Sequence, residues 1–516
     1  MSRKHKNLAN GTRSVHKVPV RVLIFITTAL VMAALSFATS PVKNLIVNAE
    51  KTLSPLINTT ATPAETTANM KSEQVICPGI AELADNVTYD PEFSPVPTKI
   101  THKKQVLANG SIASALVSDL NGTKLVAIPA KNEVYPLTDS SKEPKLVNVE
   151  YAEAQGIAGV SGTSFTASLD GDIKGLAAGS CTEPKSLAWF LGGQTGAGDT
   201  MMLYLENPNP VAAQVELTMY GKNGAINMKT SKFVTVQEGA IEKVLISAAA
   251  PDEELVAIKV EAKGALIASY LFTYQVRNGI VANGMDFINS YSEPVSSGTI
   301  NSVAIESADG IKSEAFLELF AENDAQVTYT VLKAGANDAG NSGNLSLTAG
   351  KTQSVPLNLA NGVYSINFKS DEPVFVETLI RQTKGAEYSD FAYQRVSDVN
   401  QNSILQVYGA EQVISAIGEA GSVPENASII FTAYDSNGAL LKNKTYAISA
   451  SQPIQFRVKD IAPENASYIT AIPDNMSTKF TWSSAQFAEG NTFVSAITPK
   501  SIDAAFRSIK VKEVLY

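Results

Sequence analysis

The sequence predicts an all-β protein: tandem immunoglobulin-like β-sandwich modules after one N-terminal transmembrane helix. Three features carry that expectation. Short runs of alternating apolar residues are broken roughly every 8 to 12 residues by Gly, Asn, Asp or Pro, the spacing of sandwich strands. Several of these runs recur along the chain, which marks a repeat architecture. A single long uncharged apolar run stands near the N-terminus, and no stretch keeps a helical period over three turns.

Residues 1–21 carry Arg3, Lys4, Lys6, Arg13, Lys17 and Arg21 and no acid, and read as a basic cytoplasmic tail. The apolar run VLIFITTALVMAALSFA, Val22 to Ala38, follows directly, so the positive-inside rule places everything beyond it outside the cytoplasm. Its length is at the lower limit for a span and reads as a signal-anchor over 22–40 in the cell membrane. Ser36 and Ala38 also fit a small-residue cleavage site, so secretion after signal cleavage is the alternative. Residues 41–75 contain NTTATPAETTAN, too poor in apolar residues to pack, and read as a disordered spacer.

Of the 516 residues, 44% are hydrophobic and 18% charged, enough apolar material for several packed cores. Without the basic tail the chain has 35 Lys+Arg against 50 Asp+Glu, a balance of about −15 that excludes nucleic acid as a partner.

The two cysteines, Cys77 and Cys181, both fall in the exported part. An even count in an oxidising compartment favours a disulfide, with two buried free thiols as the alternative. No Cys-x-x-Cys or Cys/His cluster points to metal.

Beyond Cys181 the chain repeats. AQVELTMYGKNGA (Ala213 to Ala225) returns in part as AQVTYT (Ala325 to Thr330) and again as ASIIFTAYDSNGA (Ala427 to Ala439). Thr218, Tyr220, Asn223, Gly224 and Ala225 align without gaps on Thr432, Tyr434, Asn437, Gly438 and Ala439. Each copy opens on alternating apolar residues and ends on an Asn-Gly pair, which supplies the positive φ of a tight hairpin turn. These matches predict three sandwiches at 182–297, 298–396 and 397–516. Residues 76–181 show short alternating runs without the repeat, and read as an N-terminal β-rich region, either a domain of its own or packed with the first sandwich.

The segment GGQTGAGDT (Gly192 to Thr200) has the glycine spacing of a phosphate-binding loop, but Asp199 stands where the lysine belongs. MMLYLENPNP follows as an alternating strand, whereas a phosphate loop must open a helix. The segment therefore reads as a hairpin or inter-strand turn, and no nucleotide is expected.

Around it lie CTEPKSLAWFLGG (Cys181 to Gly193) and LYLENPNPVAAQVELTMYGKNG. Cys181, Pro184, Trp189, Phe190, Gly192, Gly193, Asn207 and Pro208 resemble the pattern of an exported, membrane-anchored actinobacterial family of unknown function, with a C-x-x-P...W-F-x-G-G element ahead of β-sandwich repeats. The resemblance is specific from Cys181 to about Gly224 and general elsewhere. It implies an envelope protein whose gene often lies beside a large membrane glycosyltransferase, and it implies no catalytic residue.

Histidine is confined to His5, His16 and His102, which removes triad chemistry and multi-histidine metal sites from the repeats. His102, in THKK, reads as a solvated loop residue. Asp170 and Asp172 in LDGDIKG lack the remainder of a calcium loop. Asp435 has Gly221 at its repeat position, so the turn recurs and the carboxylate does not. Trp189 reads as core packed near the disulfide. Trp482, which alternates with Phe480, is the candidate for a surface contact.

No cofactor, metal or catalytic set is expected. The function expected is that of a non-catalytic, membrane-tethered cell-envelope stalk, a scaffold or binding module for an envelope glycan or a glycosyltransferase partner. The alternatives are a polysaccharide-acting enzyme hiding two carboxylates in 76–181, or a surface adhesin.

Overall fold

The computed structural model describes residues 65–67, 72–84, 96–502 apart from short gaps, and 508–510. The expected basic tail, the signal-anchor and most of the spacer lie outside the described residues. Among the described residues no helix is long and apolar enough to cross a membrane. Among the described residues nearly all regular structure is β, and the one α-helix there, α1 (Ile246–Ala249), is a single turn.

The chain begins with a short strand, β1 (Glu65–Thr67). The first sandwich set comprises β2 (Ser72–Cys77), β3 (Ile100–Asn109), β4 (Ser111–Ser118), β5 (Val126–Ala127), β6 (Val134–Asp139), β7 (Lys145–Glu153), β8 (Gly159–Ser168) and β9 (Gly175–Ser180). They form sheets ordered β2-β7-β4-β5 and β6-β3-β8-β9.

The second set comprises β10 (Leu187–Leu191), β11 (Asp199–Glu206), β12 (Ala213–Gly221), β13 (Gly224–Ile226), β14 (Phe233–Val236), β15 (Ile241–Leu245), β16 (Ala257–Lys263), β17 (Ala268–Arg277) and β18 (Val281–Ile288). Its sheets run β10-β16-β12-β13, with β14 also on β12, and β15-β11-β17-β18.

The third set comprises β19 (Val295–Ile305), β20 (Ile311–Phe320), β21 (Ala325–Lys333), β22 (Ala339–Leu347), β23 (Thr352–Leu357), β24 (Gly362–Lys384) and β25 (Tyr388–Arg395). The long β24 serves both sheets: its first half pairs β19 and β21, its second half β20 and β25.

The fourth set comprises β26 (Ser403–Gln406), β27 (Val413–Gly418), β28 (Ser428–Tyr434), β29 (Leu440–Ala447), β30 (Ile454–Arg457), β31 (Tyr468–Pro473), β32 (Phe480–Ala488), β33 (Phe493–Ile497) and β34 (Lys500–Ser501). Its sheets run β29-β28-β31-β26-β34 and β30-β27-β32-β33. By itself, β1 pairs antiparallel with β35 (Ser508–Lys510) in a separate two-stranded ribbon.

All four sets share one order when the two halves of β24 count as sixth and seventh strands, and β13 with β14 as one fourth strand. The first, sixth, third and fourth strands make one sheet, and the fifth, second, seventh and eighth make the other. Residues 76–181, set apart from the repeats on sequence, thus carry the same topology. The third-to-fourth connection of that first set even holds Asn121-Gly122, with Gly122 at φ +73, as Gly224 and Gly438 do in their sets at +113 and +75.

Alternation explains each sandwich. Along β12, Ala213, Val215, Leu217 and Met219 are buried while the residues between them reach the surface, the period-two pattern of a strand with one covered face. Met201, Leu203 and Leu205 of the facing sheet enter the same apolar cluster. Trp482 belongs to the corresponding fourth cluster, fully buried against Phe431, with its indole N–H donated to Ser403 Oγ at 2.7 Å. The expected surface role for Trp482 is therefore corrected: its alternation with Phe480 did not reveal that β32 is covered on both faces.

The sandwiches do not string out as a stalk. The eighth strands pack in a cycle, β9 on β18, β18 on β25, β25 on β33 and β33 back on β9. The described residues between 72 and 502 are accordingly one compact ring. Each seam has its own hydrogen bonds. Ala84 N–H donates to Tyr274 Oη at 3.5 Å between the first and second modules, and Thr352 Oγ1 to the Leu255 carbonyl at 2.9 Å between the second and third. Ser302 Oγ donates to the Ser483 carbonyl at 2.8 Å between the third and fourth, and Thr163 Oγ1 to Gln406 Oε1 at 2.9 Å between the first and fourth. The closing seam explains why β8 is buried on both faces and rich in small residues: a Cβ on Gly159 would meet Ile502, 3.0 Å away.

Candidate functional site

The axis of the ring is polar. Asp286 of β18 takes the Ala178 N–H from β9 at 3.1 Å, the Tyr393 N–H from β25 at 3.0 Å and the Ser495 hydroxyl from β33 at 2.8 Å. Asp390 of β25 takes the Leu176 N–H at 2.9 Å, the Met285 N–H at 3.0 Å and the Val494 N–H at 3.0 Å. Each carboxylate therefore ties its own module to the other three, and the partners' order shows that the four strands run side by side in one direction. Burial pushes both carboxyls well above the usual range, opposed by the hydrogen bonds they accept. Gly284, at φ +106, lets the chain pass Asp390, since a Cβ there would lie 2.7 Å from the Asp390 Cα.

At the C-terminal ends of these strands the three connections between modules, the segment after β33 and the start of β17 line a cavity of about 410 Å³. Its wall includes Lys185, Arg395 and Lys500, the carboxylates Glu183 and Asp398, and a rim of serine and threonine hydroxyls. Each nitrogen of Arg395 makes a bond: Nε donates to Thr498 Oγ1 at 3.2 Å, one terminal nitrogen to the Ser290 carbonyl at 2.8 Å, and the other to Asp398 at 3.0 Å. Lys500 bridges Glu183 at 2.8 Å and the buried Glu73. Lys185 donates to Ser292 Oγ at 2.6 Å. Burial, followed by the nearby Arg395, holds the Lys185 ammonium below its usual range.

Of the residues singled out on sequence, Cys181 lines this cavity and the others lie elsewhere. Cys77 and Cys181 form the disulfide, joining the end of β2 to the residue after β9 at the cavity wall. Pro184 is half-buried beside Lys185. Trp189 is buried as expected, but its ring neighbours are Tyr220, Phe320 and Phe375, in a different cluster from the disulfide. Phe190 fills the second core. Gly192 and Gly193 pass against Tyr393, whose hydroxyl accepts the Gly193 N–H at 3.1 Å. Asn207 is buried and gathers the Pro208 turn, its side-chain amide donating to Val211, Val236 and Gln237 carbonyls. The glycine-rich Gly192 to Thr200 stretch connects β10 to β11, strands of different sheets, and a strand follows it.

His102 is corrected from loop to strand. It lies in β3, with Nδ1 3.0 Å from Thr166 Oγ1 and Nε2 2.8 Å from Lys104 Nζ. Burial first, then Lys104, pushes its imidazole down to about 3 and keeps it neutral. Asp170 caps its loop by accepting the Thr98 and Lys99 N–H groups, and Asp435 likewise accepts Asn437 and Ala439 N–H within its turn. Among the described residues no group of three or more metal-ligating side chains is assembled. Paired carboxylates do occur, outside residues 76–181: Glu318 and Glu377 stand directly opposite on β20 and β24, both fully buried.

Sequence reasoning missed the axis. The dipeptide Asp-Phe, at Asp286-Phe287 and Asp390-Phe391, was the available signal, each inside an eighth strand.

Fold and cavity define a closed ring of four like-ordered β-sandwiches with a charged axial pocket. The chain belongs to a family of unknown function, DUF5719, whose model matches residues 137–459. No curated protein matches the sequence. Among solved structures, an α-L-rhamnosidase from Streptomyces avermitilis complexed with L-rhamnose aligns over 77% of this chain and 55% of its own, at 8% identity and a TM-score of 0.10, a likeness that carries no argument.

Proposed function

We propose that this protein is a non-catalytic cell-envelope component, held at the cell membrane by residues 22–40 and displaying its ring outside the cytoplasm, where it binds an envelope glycan or holds a glycosyltransferase. The observation that carries this reading is the axial pocket, to which all four modules contribute wall residues. Most of its charged groups are already bound to one another, which suits recognition by a preorganised wall. The modules are read as immunoglobulin-like, supported by the second strand pairing the fifth and the third pairing the sixth in facing sheets. The first, seventh and eighth strands are placed differently from the immunoglobulin order.

The test is crosslinking from membranes of the native host, in parallel with an array of that host's envelope glycans. Recovery of an identified glycosyltransferase, or retention of an unaltered glycan, supports the reading. Shortening of the glycan during incubation overturns it in favour of an enzyme, and recovery of the chain only in the culture medium overturns the tether.

A further inference from the structure

We infer that the axial pocket is a site for an acidic saccharide, a sugar carrying a carboxylate or a phosphate, with Lys185 as the direct partner of the anionic group. This rests on the reading of the ring as a binding module and names what it binds.

The argument begins with charge. Three cations, Lys185, Arg395 and Lys500, line the cavity against two carboxylates, Glu183 and Asp398. The third carboxylate nearby, the buried Glu73, pairs with Lys500 through Oε1, while its Oε2 accepts the Tyr151 hydroxyl and the Val160 N–H. Three cations thus meet three carboxylates, but unevenly: Lys500 pairs with two, Arg395 with one, and Lys185 with none among the described residues.

Pairing and donor counting together single out Lys185. Arg395 commits three of its five N–H donors and is ion-paired with Asp398, and Lys500 holds two carboxylates. The Lys185 ammonium has three hydrogens, and its one hydrogen-bond partner among the described residues is Ser292 Oγ, which leaves two for an incoming anion. Arg395 and Lys500 then act as the surrounding field, and in a partly dehydrated cavity that field is stronger than in water. An anion there relieves the mutual repulsion of the three cations.

The rest of the ligand follows from the rim. Ser180, Ser269 and Ser290 offer hydroxyls that both donate and accept, suited to a polyhydroxy body. A cavity of about 410 Å³ lies within the usual range for small-ligand sites.

Isothermal titration of the purified full-length chain tests this with four probes: glucuronate, glucose 6-phosphate, glucose and inorganic phosphate. Glucuronate, glucose 6-phosphate or both are expected to bind, at least ten-fold more tightly than glucose. Lys185→Met is expected to weaken that binding at least ten-fold, Lys185→Arg to recover part of it, and the exposed Lys222→Met to leave it unchanged. Comparing the two acidic sugars separates carboxylate from phosphate recognition. Equal binding of glucose and the acidic sugars, or undiminished binding by a folded Lys185→Met protein, overturns the proposal. Inorganic phosphate binding as tightly as glucose 6-phosphate overturns its saccharide half. If Lys185→Met does not fold, ligand-dependent rise in melting temperature of the unaltered chain decides, and a flat response to both acidic sugars overturns it. Failure here leaves crosslinking to an envelope partner unaffected, whereas binding without any envelope partner or glycan would sink the scaffold reading alone.

Discussion

The Ser495 hydroxyl donates to the Asp286 carboxylate at 2.8 Å, across 209 positions of sequence. Asp286 also accepts backbone N–H groups from the first and third modules, so both of its oxygens serve as acceptors. Asp286→Asn places an NH₂ group against an N–H donor whichever way the amide is turned. Unfolding in denaturant is expected to show a loss of about 1–3 kcal/mol, and unchanged stability would mean the axial bonds do not hold the ring.

The disulfide closes a loop of 104 residues at the seam between the first two modules. Loop entropy gives such a bridge an upper value of about 4–5 kcal/mol. The double variant Cys77→Ser, Cys181→Ser is expected to melt several degrees lower than the parent, and a parent under reducing agent should approach it. Gly162→Ala should disturb the same place, because its Cβ would lie 2.5 Å from Cys181 Sγ.

Glu318 gives the ring a pH dependence. Burial pushes its carboxyl from 4.5 up to about 8, with Arg381 pulling back, and Glu377 faces it from the paired strand. The folded state holds that proton through a window in which the unfolded chain has lost it, so this contribution to stability is complete below about 4.5 and is lost as pH rises towards 8. Glu318→Gln lacks the slope. Its melting temperature relative to the parent is expected to rise steadily between pH 5 and 8, and parallel curves would show that Glu318 ionises normally.

Ser302 holds the seam between the third and fourth modules from a strained position, φ +55. Its Oγ donates to the Ser483 carbonyl and accepts the Ser415 N–H at 2.9 Å. Ser302→Ala leaves that buried N–H unsatisfied, with an expected cost of about 1–3 kcal/mol. Hydrogen exchange should locate the loss at Ser415, and protection unchanged there would refute the assignment.

Strands were legible in the sequence because each buries one face in its own sandwich, and alternation such as that of β12 is a local pattern. The kinship of the second and fourth modules was legible because their third-to-fourth hairpins reuse the same residues, Thr218 to Ala225 and Thr432 to Ala439. The first module escaped notice although Asn121-Gly122 marks the same hairpin, because its flanking strands share no residue pattern with the others. The surroundings of Trp482 were hidden for a different reason: alternation assigns two faces to a strand but does not say that both are covered. The axial site was the least legible part, since Lys185, Arg395 and Lys500 belong to three modules and come together only when the ring closes.

That closure also constrains how such a chain can change over generations. Tandem arrays ordinarily grow or shrink by duplication or deletion of whole units, because each unit touches only its neighbours. Here the first unit meets the last through β8 and β26, and the two axial aspartates each need strands from three other units. A fifth unit would have no place at the axis, and loss of one would strand acceptors built for four. The copy number is therefore fixed by geometry, and innovation is directed instead to the connections around the pocket, which can vary without reopening the circle.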